Sequence, residues 1–407
     1  MGGVIGHIQH PFENLSLTFG DLYDLVGFIT SGKYSDSDRR IHHLHATEKL
    51  DGQQLSISWI NDRGLVVARN KGHVKKFGET ALGRDALVDK FHSHVCFYAF
   101  IYAYDSLDSV ISDLTTSERN TIFENGRKWM SLEVIYPDTT NVIFYDKKLI
   151  FFHYTVRYDQ DGNFLNLYHE DGQKLFEMLS CRHVENYTFE APRVVKTADI
   201  SRWNMRFFNQ LKDIMNIHDL NPNQTIGEYL ERHFLKILDR HLNFTDTGTI
   251  RNKILCRFVY GDKSFTLPQI KKIDEDLAEW VKTYEKEELR FELKYALMPL
   301  EKCFLELGTL LFHHTDDEQF LVKGNVLSTK LLIEKVLKAF KISSIVDQKI
   351  NHQIYLLEEI SIAVPDYLQA TEGIVFDFKD ELYKLTGTFA PINILLGRDK
   401  YIKNNKL

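Results

Sequence analysis

Proline and cysteine are scarce in this 407-residue chain, and each scarcity excludes something. Eight prolines, set against 28 phenylalanines and 19 tyrosines, argue against long disordered linkers. The four cysteines, Cys96, Cys181, Cys256 and Cys303, lie far apart and form no CxxC pair. A zinc site or a dithiol redox motif is therefore not expected, and free thiols in a reducing cytoplasm fit instead. No apolar run is long enough to span a bilayer. The opening segment Met1-Gly2-Gly3-Val4-Ile5-Gly6-His7 lacks the basic start and apolar core of a signal peptide. Excess positive charge is lacking too. The formal net charge is -7, unlike that of a chain that coats nucleic acid indiscriminately, but it is compatible with a local basic groove. Internal repeats and low-complexity tracts are absent. A soluble cytoplasmic protein with no membrane association is expected.

What is present is globular: 43% hydrophobic and 26% charged residues, enough to bury a sizeable core without staples. The first part reads as β-rich. Leu55 to Ile60 alternates apolar and polar residues, Asn61-Asp62-Arg63-Gly64 is a turn, and Leu65 to Arg69 is a partner strand. The aromatic run Val95 to Tyr104 predicts a buried strand, as does Leu132 to Tyr136. Asn141 to Tyr145 and Leu149 to Tyr154 predict two strands around a turn at Asp146-Lys147-Lys148. Short helices are expected over Gly83–Phe91 and Thr116–Lys128. Beyond Pro192 the apolar spacing becomes helical, over Arg202–Met215, Thr225–Leu242, Ile273–Phe312, Leu327–Ile342 and Asp347–Ala363. Thr225-Ile226-Gly227-Glu228 fits a capping box, and Pro299 predicts a kink or break. Strands return at Gly373–Phe378 and Glu381–Leu385, around Lys379-Asp380. A basic tail closes the chain.

Chemistry enters at Lys49-Leu50-Asp51-Gly52. Alone, such a short match reads equally as a charged strand start running into a turn. Its setting sharpens it, because Arg69-Asn70-Lys71-Gly72 follows at the end of the predicted hairpin. This opening resembles that of the covalent nucleotidyltransferase superfamily, which holds ATP-dependent DNA ligases, RNA ligases and mRNA-capping guanylyltransferases. Further motifs follow in the same order. Leu132-Glu133-Val134-Ile135-Tyr136 is similar to the superfamily's Glu-bearing strand, and Phe151-Phe152-His153-Tyr154 to its aromatic strand. Glu372-Gly373-Ile374-Val375-Phe376 is similar to its Glu-Gly motif, and Tyr383-Lys384-Leu385-Thr386-Gly387 to its Lys-x-Lys strand, with Thr386 at the second lysine position.

The resemblance implies a nucleophile at Lys49, whose amine attacks the α-phosphorus of ATP and expels pyrophosphate. Lys384, assigned a catalytic role beside Lys49, would contact the α-phosphate. Glu133 would bind the ribose and Arg69 the sugar or phosphates. Phe151 or Phe152 would stack on the base; strand alternation allows only one of them to face a ligand. Glu48, Leu50, Asp51 and Gly52 flank the nucleophile and join its nucleotide pocket, together with Thr386. Glu372 would hold magnesium or manganese, hard ions that take oxygen ligands. Lys71 is a further candidate, either for depressing the Lys49 pKa or, with Lys75, for replacing the missing second lysine.

The implied fold class is α+β: a nucleotidyltransferase core of ATP-grasp-like antiparallel sheets, interrupted by an all-helical insertion. The core would span 1–191 and 366–407, and the insertion 192–365. Only about twenty residues follow Gly387, so no C-terminal OB-fold is expected. This favours the phage-type RNA ligases, with RNA ends preferred over DNA ends as partners. The cytoplasm is the expected location, that of a phage-infected cell being one option raised by the ligase type resembled, and a protein partner through the helical insertion stays open. Two rivals stay open: a nucleotidyltransferase of proteins or small molecules, and a non-catalytic descendant of the ligase fold. Softer signals are His42-His43-Leu44-His45, the lysines Lys71, Lys75 and Lys76, and the segment Thr386 to Asn393. The last is too specific for an ordinary loop and is expected to support a phosphate pocket.

Overall fold

The computed structural model describes residues 8–35, 40–139, 141–191, 193–241, 248–286, 288–321, 325–342, 348–379 and 381–404. The N-terminal heptapeptide lies outside them, as do Leu242, Asp347 and Asp380, expected at helix ends and in a turn.

A capping box starts α1 (Phe19–Ser31). The Asp21 N–H donates to the Thr18 hydroxyl at 3.0 Å, and the Thr18 N–H donates to the Asp21 carboxylate at 2.8 Å. A short hairpin of β1 (Lys33–Ser35) and β2 (Ile41–His43) follows. Next come β3 (Ala46–Lys49), β4 (Gln53–Ile60) and β5 (Gly64–Ala68). β4 and β5 form the expected hairpin, with Ser56 opposite Ala68 and Ile60 opposite Gly64.

The helices α2 (Arg84–Phe91), α3 (Phe97–Ile111) and α4 (Thr116–Phe123) precede β6 (Lys128–Ile135). The expected strand at Val95–Tyr104 is instead the start of α3. Phe100, Ala103, Tyr104, Leu107 and Ile111 are buried at helical spacing, and that stripe outweighs the β-preference of the aromatics. The helix expected over Thr116–Lys128 stops at Phe123, because Glu124, Asn125 and Gly126 all take positive φ. β7 (Leu149–Tyr158), β8 (Phe164–Tyr168), α5 (Glu170–Leu179) and β9 (Thr188–Glu190) complete this part. The strand expected at Asn141–Tyr145 does not form. The Val142 and Ile143 N–H groups donate to the Asp51 carboxylate at 2.7 and 2.9 Å, so a ladder has no use of them.

Between β9 and β10 run α6 (Asn204–Ile217), α7 (Ile226–His241), α8 (Thr249–Val259), α9 (Leu267–Ile273), α10 (Glu275–Lys286), α11 (Glu288–His314), α12 (Val326–Ile342) and α13 (Gln348–Ala363). The capping box at α7 is in place: Thr225 N–H reaches Glu228 at 2.7 Å, and Glu228 N–H reaches the Thr225 hydroxyl at 3.1 Å. α11 continues through Pro299 without a break, held by buried Leu300, Cys303, Phe304 and Leu307 beyond it. The chain then forms β10 (Gly373–Phe378), β11 (Glu381–Leu385) and α14 (Phe389–Asn404). Most of the segment Thr386 to Asn393 is thus the start of a helix. The Thr388 hydroxyl ahead of it donates to the Tyr367 carbonyl at 3.0 Å.

The architecture is mixed α+β with two main sheets. One runs β5-β4-β6-β7-β8, antiparallel throughout, with β9 beside β7 in parallel. The other runs β11-β10-β3. One face of the larger sheet, including Leu55, Ile57, Leu132 and Phe152, packs with α3 in a buried cluster. The helices between β9 and β10 share a second cluster with α1, the smaller sheet and α14. The opposite face of the larger sheet and one face of the smaller sheet are left to enclose a cavity. No helix among the described residues is long and apolar enough to cross a membrane.

Candidate active site

The cavity holds about 1070 Å³ and is lined from both sheets. Strand alternation decides which side chains reach it. On β3, Thr47 and Lys49 point in, whereas Ala46 is fully buried in the core behind. Gly373 pairs with Lys49 and Val375 with Thr47 on the neighbouring β10. On β11, Lys384 lies opposite Val375 and shares its side. From the larger sheet come Gln54, Ser131 and Glu133, with Glu133 opposite Gln54.

Two glycines of the motifs make this convergence possible. A Cβ on Gly52 would lie 2.8 Å from Glu133 Cγ and 2.9 Å from the Val134 carbonyl oxygen. Only a bare backbone lets Glu133 approach the Lys49 loop. Gly373 has φ +138°, and a Cβ there would meet the Leu385 carbonyl oxygen at 2.1 Å. Gly373 therefore allows Glu372 to leave the end of β10 beside Lys49.

The Lys49 Nζ and Glu372 Oε1 form an ion pair, with the lysine side chain 24% exposed and the glutamate 11%. Burial alone would lower the Lys49 pKa. Glu372, Glu133 and Asp51 outweigh it and hold the ammonium above its ordinary range. Burial pushes Glu133 up to about 8, reinforced by Glu372 and Asp51 against the pull of Lys49. Burial likewise pushes Glu372 up to about 7. Lys384 is drawn down to about 8 by burial and by Lys49.

The other expected site residues divide. Arg69 lines the cavity; its Nη1 donates to the Gln54 carbonyl and its guanidinium lies 4.7 Å from the Phe100 ring centroid. Leu50 and Glu48 border it, but the Glu48 carboxylate faces away and accepts from the Leu321 N–H at 2.8 Å. Asp51 is not on the cavity. Its oxygens are used by Val142, Ile143 and Asn141, so it anchors the 141–143 loop. Lys71 is exposed and away from the cavity, as is Lys75. Thr386 is buried, with its hydroxyl bonded to nothing, and does not reach the cavity.

Phe151 and Phe152 both miss the cavity. Phe151 is fully buried in one cluster and Phe152 in the other. A β-bulge follows them on β7. Ser131 pairs with Tyr154 and Leu132 with Phe152, leaving His153 as the extra residue. The bulge sends His153 and Tyr154 to the same side, and both line the cavity. Burial and Lys49 lower His153 to about 4, so it is neutral at pH 7. Lys90, Asn70, His94, His169 and Gln173 also line the cavity, and no motif pointed to them. Of the histidine cluster, His42 and His43 are exposed on β2, and only His45 borders the cavity.

Among the described residues no group of three His, Cys, Asp or Glu side chains is placed to hold a metal ion. Magnesium does not require one. It takes one or two carboxylates and completes its shell with phosphate oxygens and water. Glu372 with Glu133 nearby would supply those carboxylates, both buried and raised above their ordinary range chiefly by that burial.

No protein-family model matches this chain, and no curated protein matches it. A solved structure of an archaeal ATP-dependent RNA ligase is similar over 98% of this chain and 81% of that one, at 10% identity and a TM-score of 0.24. At that level of likeness nothing about fold or activity is carried from that protein to this one.

Proposed function

We propose that this chain is an ATP-dependent polynucleotide ligase that works through a lysyl-AMP intermediate at Lys49 and joins RNA ends. One observation carries the reading: Lys49, Glu133 and Lys384 line one cavity, and Glu372 reaches it through its ion pair with Lys49. These four motif residues are spread over 336 positions of sequence, from 49 to 384, and strand pairing brings them to one cavity. Nucleotidyl transfer to a lysine would use that arrangement.

The Lys49 ammonium first gives its proton to bulk water. Its amine then bonds to the α-phosphorus of ATP while the bond to pyrophosphate breaks, and the leaving oxygen takes the electron pair. Glu372, with Glu133 nearby, would hold a magnesium or manganese ion, and Glu372 is also the partner that holds the proton on Lys49. A bound magnesium or manganese ion supplies charge neutralisation at the α-phosphate. Lys384, mostly protonated at pH 7, adds positive charge on the same side. In the second step an oxygen of an RNA 5′-phosphate attacks the same phosphorus and frees Lys49. In the third a 3′-hydroxyl attacks the 5′-phosphate and AMP leaves. RNA as the acceptor follows the resemblance to phage-type ligases. The helices within 192–365 are the proposed substrate module, open to a protein partner.

The acceptor is tested by a chase. Protein labelled with radioactive AMP is incubated with 5′-phosphorylated RNA, 5′-hydroxyl RNA or nicked DNA. Label should pass to the 5′-phosphorylated RNA and then appear as AMP on joining. Label that moves only to nicked DNA, or stays on the protein, would refute RNA joining.

A further inference from the structure

The Arg69 end of the cavity is unlike the Lys49 end. The segment Arg69-Asn70-Lys71-Gly72-His73 closes on itself there. The Arg69 backbone N–H donates to His73 Nδ1 at 3.1 Å, so that ring nitrogen is the acceptor and Nε2 carries the hydrogen. The His73 backbone N–H donates to Asn70 Oδ1 at 3.3 Å, so the Asn70 amide nitrogen is the atom turned toward the ring. Asn70 Nδ2 then lies 3.4 Å from His73 Nε2, and Lys90 Nζ lies 3.3 Å from the same atom.

Three donor groups thus face one another with no acceptor between them. Both orientations are fixed by independent backbone N–H groups, so neither a ring flip nor an amide flip removes the conflict. Among the described residues no carboxylate is paired with Lys90. His73 is buried, and burial together with Lys90 holds its pKa below the ordinary value. Asn70 and Lys90 line the cavity beside Arg69. Converging donors beside two cations suit an anion with several acceptor oxygens.

We propose that His73 Nε2, Asn70 Nδ2 and Lys90 Nζ form a phosphate site at the Arg69 end of the cavity. The ligand is a phosphate group with at least two charged oxygens. Two sources carry that chemistry: the terminal phosphate of a polynucleotide strand and the pyrophosphate end of the nucleotide. Both sources rest on the ligase reading, but the site's anion affinity does not depend on Lys49.

The test uses the full chain and two probes. Pyrophosphate binding is measured by calorimetry on the wild type, Lys49→Ala, Lys90→Gln and Asn70→Asp. The last variant places a carboxylate oxygen among the donors and fills the site from within. Lys90→Gln should weaken pyrophosphate by about tenfold or more, Asn70→Asp should abolish binding, and Lys49→Ala should leave it intact. The His73 ring nitrogens, read by NMR, should show the Nε2–H tautomer in the free protein, and the ring pKa should rise when pyrophosphate is added. The second probe is the affinity ratio of 5′-phosphorylated to 5′-hydroxyl RNA. Its loss in Lys90→Gln assigns the site to the strand end; its survival, with pyrophosphate binding lost, assigns it to the nucleotide. Unchanged affinity for both probes in Lys90→Gln and Asn70→Asp would overturn the site, as would an Nδ1–H tautomer. Intact pyrophosphate binding with no labelling of Lys49 would remove the ligase reading and leave the site standing.

Discussion

The two ends of the cavity differ in the groups they gather. At Lys49, burial raises the Glu133 and Glu372 carboxylates above their ordinary range, with Lys49 pulling against it. At Arg69, the donors of His73, Asn70 and Lys90 meet without an acceptor. One end offers carboxylate oxygens beside lysines and the other offers donors. The proposed metal-bound nucleotide and phosphorylated strand end would engage both. Lys49 rests as an ammonium against Glu372, so under the proposed function its amine stays latent until that pair is divided.

Glu372→Gln breaks the acidic end most severely. The substitution removes both the proposed cation ligand and the partner of Lys49. Lysyl-AMP formation should fall by roughly a hundredfold or more, measured as the initial rate of covalent labelling. Unchanged labelling would show that the Glu372 carboxylate has no part in the reaction. Lys384→Met follows, with a loss of about 10- to 100-fold, the cost of one charge-assisted contact. Lys384→Arg should recover part of it.

Glu133→Gln sharpens the comparison through stability. A buried acid whose pKa is raised to about 8 in the folded chain, from 4.5, stabilises below pH 4.5 and progressively less as pH rises through 8. The neutral variant should therefore gain melting temperature over the wild type at pH 8 to 9 and gain nothing from this source at pH 4. A gain independent of pH would place the effect elsewhere. Thr386→Val is the smallest perturbation. The Thr386 hydroxyl is buried with no partner, so its removal should change stability by less than about 1 kcal/mol and leave labelling intact. A large loss of labelling would return Thr386 to the phosphate pocket.

Much of the larger architecture was legible in the residues, and the reasons are physical. The β4–β5 hairpin and the β10–β11 pair follow from alternation around short polar turns, and α7 from its capping box. Lys49, Glu133 and Lys384 were legible because each sits in a strand motif whose neighbours fix its side. The rest depended on contacts that local pattern does not encode. Val95 to Tyr104 reads as a strand by composition, and only the burial of Leu107 and Ile111 beyond it sets the helix. Asn141 to Tyr145 fails as a strand because Asp51, ninety residues earlier, takes its N–H groups. Phe151 and Phe152 are taken up by two different buried clusters, and one extra residue, His153, shifts the register of β7 so that His153 and Tyr154 line the cavity instead. A bulge leaves no mark in a run of aromatics. Lys90 and His73 belong to no motif, and only the closed Arg69–His73 turn brings them together.

Covalent labelling of Lys49 tests the central claim most directly. The protein, first freed of bound AMP, is incubated with α-labelled ATP or GTP and magnesium, denatured and resolved on a gel. Label from ATP should remain attached to the wild-type chain, map by mass spectrometry to Lys49 as an acid-labile AMP adduct, and vanish in Lys49→Ala. No label from either nucleotide, or label that survives in Lys49→Ala, would contradict it.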